Sequence, residues 1–356
     1  MNVLVVSGIW PPDVGGPASH APEVCAFLLA HGHRPRALVT ADSTPAPEPY
    51  PVDWVDRGSP LRHAQALAQI ASLARDADVV YTTGMFGRSG AGALLARAPY
   101  VVKLTADPAF ERARRRGLTH ASLADFQQER SSVTAPLRAA RDGIVRRAAH
   151  VVTPSAYLAE LARAWGARAV TILPNPAPDF SDVPGRDEAR ERFGFDGPTL
   201  VFAGRLAPQK SLELAIGAAR DAGVALAIAG DGPERARLEA LGHARFLGPL
   251  PRGDVLALFR AGDASILSSS WENFPHGVVE SLATGTPVVA TDVGGVREVL
   301  RDGENGVLVP PGDQAALAEG IGRVLGLHGD VAGSIDAYSA ERVYGQLLEI
   351  LTAAAR

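Results

Sequence analysis

Short apolar segments alternate along the whole chain with longer segments in which apolar residues recur at helical spacing. The apolar segments are continuous rather than alternating, which is typical of strands that are buried on both faces of a parallel sheet. The pattern therefore predicts an α/β fold in which strands and helices follow one another. The predicted strands lie at 2–8, 36–40, 79–82, 100–104, 150–153 and 170–173 in the first half, and at 199–203, 225–229, 244–247, 264–267, 288–290 and 306–309 in the second half.

A proline-rich segment at 174–198 interrupts this alternation, as the connection between two domains would. With 356 residues, 46% of them hydrophobic, the chain can bury two cores. We predict two Rossmann-like domains at 1–178 and 179–335, with a cleft between them as the ligand site. A last helix, within 336–356, is expected to pack back on the N-terminal domain.

Charge and cysteine content exclude several classes of protein. The formal net charge of −4 gives no reason to expect a nucleic-acid partner. The single cysteine, Cys25, rules out an intramolecular disulfide and favours a cytoplasmic location. No signal peptide is expected, since no basic region precedes the first apolar run, and no apolar run reaches the ~20 residues that span a bilayer.

The segment 268–286 carries the first candidate chemistry. It runs from the predicted strand 264–267 through a polar loop into a helix, and such loops lie at the carboxyl edge of the sheet, where ligands bind. Glu272 and Glu280 bracket a helix start expected near Phe274, whose free N–H groups suit an anionic group. A nucleotide-sugar has this arrangement of hydroxyls around a diphosphate. The alternative is an acidic loop followed by a solvated helix glutamate.

A second candidate is the segment 204–211, which follows the predicted strand 199–203 and opens a helix. Arg205 offers a planar fork for a phosphate, and Lys210 a compact charge. The lysine stands out because the chain contains only one other, Lys103. The segment lacks the second glycine of a Walker loop, so triphosphate hydrolysis is not expected. The alternative is a solvated basic loop.

Taken in order, these motifs resemble the retaining GT-B glycosyltransferases of family 4 over nearly the whole chain. Each motif is weak alone, but the ordered set is specific. The resemblance is carried by Pro11-Pro12 with Gly15-Gly16, Gly32-His33, Pro154-Ser155, Pro174-Asn175, Gly204-Arg205 with Lys210, Gly230-Asp231-Gly232-Pro233, Glu272 with Glu280, and Gly285-Thr286-Pro287-Val288-Val289-Ala290-Thr291 followed by Gly294-Gly295 and Glu298.

The resemblance implies a GT-B fold and assigns roles to these residues. Arg205 and Lys210 would bind the donor diphosphate, Glu280 the ribose diol, and Glu272 would face the donor sugar; Arg205, Lys210 and Glu272 are the catalytic candidates. Further donor contacts would come from Gly15, Gly16, Gly204, Asn273, Phe274, Pro275, His276, Gly277 and Leu250. The co-substrate would be a UDP- or GDP-sugar, with no metal, no other cofactor and no obligatory protein base.

One feature departs from the family pattern. Many relatives carry a histidine after the strand that corresponds to 100–104, where this chain has Thr105. Lys103 or Asp107 is a candidate for the missing sugar contact, although the two could simply pair with each other. Trp10 and His20 are further candidates for sugar or acceptor contacts, with a core position for Trp10 and a surface position for His20 as the alternatives.

The acceptor is the open question. It could be a lipid, a saccharide or a small molecule that offers a hydroxyl group. The basic run Arg112–Arg116 could contact anionic lipid at the inner face of the membrane, or it could be a solvated helical face.

Three other functions remain open at this point. A GT-B epimerase would convert the nucleotide-sugar without an acceptor, and a non-catalytic protein would only bind it. An NAD-dependent oxidoreductase is disfavoured because Trp10-Pro11-Pro12 stands where a glycine-rich loop is required.

Overall fold

The computed structural model describes residues 1–13, 16–129, 131–327 and 329–355. The chain divides into two compact units. The first unit comprises residues 1–173 together with the chain from Tyr344 onward, and the second unit comprises Pro174–Val343. Each unit is built on one parallel sheet, so the predicted α/β class is confirmed.

The first unit carries a seven-stranded sheet. In chain order its elements are β1 (Asn2–Ser7), α1 (Gly16–Ala30), β2 (Arg34–Ala41), β3 (Val52–Asp56), α2 (Arg62–Leu73), β4 (Val79–Thr82), α3 (Phe86–Leu95), β5 (Tyr100–Lys103), α4 (Pro108–Arg115), α5 (Leu123–Gln128), α6 (Ala135–Arg147), β6 (His150–Thr153), α7 (Ala156–Ala164) and β7 (Val170–Ile172). The strand order is β3-β2-β1-β4-β5-β6-β7.

The second unit carries a six-stranded sheet in the order β10-β9-β8-β11-β12-β13. In chain order its elements are α8 (Arg186–Phe193), β8 (Thr199–Ala203), a 3₁₀ turn (Pro208–Lys210), α9 (Leu212–Asp221), β9 (Ala225–Ala229), α10 (Arg235–Glu239), β10 (Ala244–Gly248), α11 (Arg252–Ala261), β11 (Ala264–Leu267), α12 (His276–Ala283), β12 (Val288–Thr291), α13 (Val296–Val299), β13 (Gly306–Val309), α14 (Gln314–Leu325) and a second 3₁₀ segment (Gly333–Tyr338). The last helix, α15 (Ala340–Ala354), begins in the second unit and belongs to the first unit from Tyr344 onward.

Burial of the sheets on both faces explains the continuous apolar strands. In β8, Leu200 belongs to the larger core of the second unit, while the next residue, Val201, belongs to a second core on the opposite face. Both side chains are fully buried. Neither face therefore leaves room for the polar residues that an exposed sheet face would carry.

Several boundaries differ from the sequence prediction. The strand β3 was missed, because the proline-rich stretch before it suggested a loop. The helical pattern from about 123 to 147 suggests one long segment, but the structure has two helices there, since α5 ends at Gln128 and α6 begins only at Ala135. The helix expected to begin near Phe274 begins at His276, because Pro275 has a non-helical ψ of 78° at the N-cap position.

A buried polar network holds the helices that follow β5. The Asp107 carboxylate caps α4, accepting from the backbone N–H groups of Ala109 and Phe110 through Oδ1. Its Oδ2 accepts from Arg141 Nη1 of α6 at 2.6 Å and from Gln127 Nε2 of α5 at 2.9 Å. The Arg141 and Asp107 side chains are 4% and 0% exposed, and Arg141 Nε also pairs with Asp142 Oδ1 at 2.9 Å, so the buried Asp107 charge depends on Arg141 for compensation.

We expect Asp107→Ala to lower the free energy of unfolding by about 3 kcal/mol, since it removes a charged hydrogen-bond partner of Arg141 and the N-cap of α4, and leaves only the partly exposed Asp142 to pair with Arg141. Asp42→Ala is the matched control, because Asp42 pairs with Arg57 as a 69% exposed side chain. Urea unfolding followed by circular dichroism measures both. Equal, small losses in the two variants would contradict a structural role for Asp107.

Candidate active site

The two predicted loops lie side by side at one edge of the second unit. Residues 204–211 follow β8 and residues 268–275 follow β11. These strands are parallel neighbours in the sheet, so both loops leave from their carboxyl ends. This edge is the position at which open α/β sheets bind ligands.

An ion pair joins the two loops. Lys210 Nζ lies 2.5 Å from Glu272 Oε1, and the Ser269 hydroxyl donates to the same oxygen at 2.6 Å. The Glu272 side chain is 8% exposed, whereas that of Lys210 is 22% exposed. The carboxylate is therefore held from two sides, and part of the lysine side chain faces solvent.

Side-chain to backbone bonds fasten the same two loops. The Gln209 amide donates to the Trp271 carbonyl at 2.6 Å, and the Ser268 hydroxyl donates to the Lys210 carbonyl at 2.8 Å. The loops thus keep one relative position without relying on the ion pair alone.

Glycines allow the backbone to come close at this edge. Gly294 has a φ of +50°, and a Cβ there would overlap the Glu272 carbonyl oxygen. The Gly295 N–H donates to that same oxygen at 3.2 Å. Gly230, with a φ of +128°, packs in the same manner on the carbonyl of Gly204. Both candidate loops are therefore supported by backbone that only glycine can form.

The second predicted carboxylate, Glu280, is buried in α12 and has a partner that the sequence did not indicate. Arg252 Nη1, at the start of α11, donates to Glu280 Oε1 at 2.5 Å. Burial raises the pKa of Glu280, and the Arg252 charge and hydrogen bond oppose that rise. The two residues are 28 positions apart, and no local pattern marks them as a pair.

The remaining donor candidates differ in burial and in the unit to which they belong. Arg205 is exposed, and among the described residues it has no ion pair. His276 is exposed at the first position of α12, and its ring Nε2 lies 3.2 Å from the Asn175 amide nitrogen. Of the other candidates in the second unit, Phe274 and Pro275 are buried, Asn273, Gly277 and Leu250 are half-buried, and Gly204 is exposed. In the first unit, Gly16 begins α1, and Gly15 lies outside the described residues.

The sugar or acceptor candidates of the first unit divide into buried and exposed residues. Trp10 is 1% exposed, which favours its alternative as a core anchor. The surface alternative for His20 is wrong, since His20 is 8% exposed and its Nε2 lies 2.9 Å from the Tyr81 hydroxyl. Thr105, by contrast, is exposed.

The suggested pairing of Lys103 with Asp107 is also wrong, because Asp107 pairs with Arg141. Lys103 is 5% exposed, and its ammonium has no hydrogen-bond partner in the part of the chain that the structure describes. Burial lowers the pKa of Lys103 to about 7, and the charge of Glu23 opposes that effect.

Within the described ranges, no group of three or more His, Cys, Asp or Glu side chains is placed to hold a metal ion. Asp76 and Asp78 have Asp-x-Asp spacing, a spacing of carboxylates that can hold a metal ion. They precede β4, and Asp78 Oδ2 accepts from the Asn2 N–H at the start of β1. They therefore lie at the amino edge of the first sheet. The same ranges contain no helix with the length and apolar character needed to cross a bilayer.

Comparison with known families matches the two halves of the chain separately. The model for the glycosyl transferase 4-like domain matches residues 15–176, and the model for glycosyl transferases group 1 matches residues 185–330. A GDP-mannose-dependent alpha-mannosyltransferase of Mycobacterium tuberculosis is 29% identical, covering 88% of this chain and 85% of the relative. A glycogen synthase of the same organism is 28% identical, covering 91% of this chain and 86% of the relative.

The fold comparison agrees with the family matches. The crystal structure of Anabaena HepE in complex with UDP has a TM-score of 0.75 at 22% identity, covering 99% of this chain and 100% of that chain. The predicted GT-B fold is confirmed. The chain is a glycosyltransferase of the GT-B class.

We expect Gly294→Ala to destabilise the second unit more than Gly303→Ala does. Both glycines have positive φ, at +50° and +80°, but a Cβ at Gly303 meets nothing within 4 Å. The shared backbone strain costs about 1 kcal/mol. The overlap with Glu272 adds roughly 1–3 kcal/mol. Denaturant unfolding measures the difference, and equal losses would show that the Glu272 loop does not depend on this contact.

Proposed function

We propose that the protein transfers a sugar from a UDP- or GDP-sugar to a hydroxyl group of an acceptor, with retention of configuration at the sugar. The observation that carries the proposal is the Lys210–Glu272 pair, which places a cation and a carboxylate together at the carboxyl edge of the second sheet. A cation suits the diphosphate of a nucleotide-sugar, and a carboxylate can accept hydrogen bonds from its sugar hydroxyls. The UDP in the HepE complex and the GDP-mannose in the name of the mycobacterial relative support this class of donor.

The diphosphate would bind to Arg205, Lys210 and the N-terminal end of α12. Arg205 is exposed and able to turn to a phosphate, and the N-terminus of an α-helix favours an anion. A phosphate oxygen at Lys210 would compete with Glu272 for the ammonium group. Donor binding would thereby release the Glu272 carboxylate to accept hydrogen bonds from the sugar hydroxyls.

The ribose would bind to Glu280, whose carboxylate can accept from both hydroxyls of the diol. Arg252 already holds one oxygen of that carboxylate at 2.5 Å, so the orientation of Glu280 is fixed before a ligand arrives. We include Arg252 in the donor site as a positioning residue for Glu280. The apolar segment that ends at Leu250, which directly precedes α11, would lie against the base.

In the transfer, the bond between the anomeric carbon and the diphosphate oxygen breaks as the acceptor oxygen attacks from the same face. Negative charge builds on the departing diphosphate, and the preorganised cations Arg205 and Lys210 stabilise it. A phosphate oxygen takes the proton of the acceptor hydroxyl. The reaction then needs no protein base, no metal ion and no further cofactor.

The same donor site would serve an epimerase or a protein that only binds the nucleotide-sugar. A named glycogen synthase and a named mannosyltransferase among the relatives favour transfer to an acceptor instead. Product formed from the donor alone would identify an epimerase. We place acceptor binding in the first unit.

We expect the double variant Arg205→Ala with Lys210→Ala to lose at least roughly 10³-fold in turnover, since two charge-assisted contacts to the leaving group disappear at about 2 kcal/mol each. Arg220→Ala is the control, because Arg220 is an exposed arginine in the last turn of α9. Turnover is measured as release of nucleoside diphosphate from a panel of UDP- and GDP-sugars. Unchanged turnover in the double variant would contradict the proposed function.

A further inference from the structure

Three helices of the first unit bring arginines together at the carboxyl edge of its sheet. Helices α2, α3 and α4 follow β3, β4 and β5, so all three begin at this edge. Arg62 and His63 are the first two residues of α2, Arg88 is the third residue of α3, and Arg112 lies in the second turn of α4.

The side chains of this group interact with one another. Arg88 Nη1 donates to His63 Nδ1 at 2.7 Å, so a neutral ring nitrogen occupies a place where a carboxylate would be usual. Burial, followed by the charges of Arg112 and Arg62, lowers the pKa of Arg88. The pKa of His63 is lowered chiefly by Arg88, then by burial, and then by Arg62 and Arg112. The charges of Arg62 and Arg112 thus act on both members of the Arg88–His63 pair.

Among the described residues, these arginines lack the ion pairs that other arginines of the unit form, although α4 has the Asp107 cap and Glu111 in its first turn. Arg62, Arg88 and Arg112 form no ion pair there, whereas Arg36, Arg57 and Arg141 of the same unit each pair with an aspartate. The first turns of α2 and α3 also lack an acidic residue and a side-chain cap. Positive charge near a helix N-terminus is unfavourable, so the arrangement costs free energy unless an anion binds.

We propose that Arg62, His63, Arg88 and Arg112 form a binding site for a phosphoryl group carried by the acceptor. Guanidinium groups match phosphate oxygens with paired hydrogen bonds, and a dianion would compensate the positive charge of the three arginines. The inference rests on the proposed function, since it names the class of acceptor. The phosphoryl group belongs either to a soluble phosphorylated acceptor or to a lipid headgroup.

Binding of simple phosphate compounds to the full-length protein tests the site. The donor site is blocked with a saturating concentration of UDP or GDP, and inorganic pyrophosphate and glycerol 3-phosphate are titrated by calorimetry. We compare Arg88→Gln and Arg112→Gln with Arg75→Gln, which removes the same charge from an exposed position just beyond the other end of α2. Because Arg112 is exposed, Arg112→Gln is expected to fold, and it still tests the site if Arg88→Gln folds poorly.

We expect each of the two cluster variants to bind the probes roughly tenfold more weakly, the effect of one charge-assisted hydrogen bond, while Arg75→Gln binds as the unaltered protein does. Sedimentation with vesicles of phosphatidic acid or of phosphatidylcholine distinguishes the sources. Arg88-dependent binding to the phosphatidic acid vesicles identifies a lipid headgroup, and probe binding without vesicle binding identifies a soluble acceptor.

The proposal is overturned if neither probe nor phosphatidic acid vesicle binds, or if the cluster variants bind them as well as Arg75→Gln does. Stabilisation of Arg88→Gln by UDP or GDP, measured as a thermal shift, is read in parallel. If UDP or GDP still stabilises the variant while the phosphate probes and vesicles give the overturning result, the proposed donor site is retained and only the proposed class of acceptor is wrong. If UDP and GDP stabilise neither Arg88→Gln nor the unaltered protein, the proposed function is overturned instead.

Discussion

The donor half of this protein depends on a buried carboxylate that has to be held. Glu272 is 8% exposed, and the transfer of such a charge from water is favourable only with close partners. Lys210 and Ser269 supply them. Because Lys210 follows β8 and Glu272 follows β11, this requirement also ties together the loops at the ends of two neighbouring strands. The same pair is the part of the site that a diphosphate would rearrange.

Some charged residues of the first unit lie in a buried ion pair, and others have no ion pair in the described residues. Asp107 and Arg141 are buried and fully engaged, and they hold α4 against α6. Arg112 of α4, Arg62 of α2 and Arg88 of α3, by contrast, form no ion pair within the part of the chain that the structure describes. The contrast separates residues that maintain the fold from residues that remain available to a ligand. It also explains why Asp107 is a poor substitute for a sugar-binding histidine.

Most of the strands and helices follow from local sequence patterns, whereas most of the pairs that charged side chains form do not. The strands at 79–82, 150–153, 199–203, 225–229, 264–267 and 306–309 were predicted with their final bounds, because each is a continuous apolar run buried on both faces. β3 was not predicted, since Val52–Asp56 is a half-polar edge strand behind a proline-rich loop.

The candidate site shows the same division. The carboxylates and cations at 272, 280, 205 and 210 stand out in the sequence because each lies in, or within two turns of, a loop that follows a strand. Their partners do not: Arg252 reaches Glu280, and Arg141 reaches Asp107, only through tertiary packing. The burial of Trp10 and Lys103 likewise depends on neighbours that are distant in sequence.

The central claim is that a nucleoside diphosphate binds at Lys210 and displaces Glu272 from it. The chain contains only two lysines, Lys103 and Lys210, so selective ¹³C labelling of lysine gives two side-chain signals for nuclear magnetic resonance. Addition of UDP or GDP is predicted to shift the Lys210 signal and to leave that of buried Lys103 in place, since only Lys210 exchanges one anionic partner for another. A bound nucleotide that leaves the Lys210 signal unchanged would contradict the account.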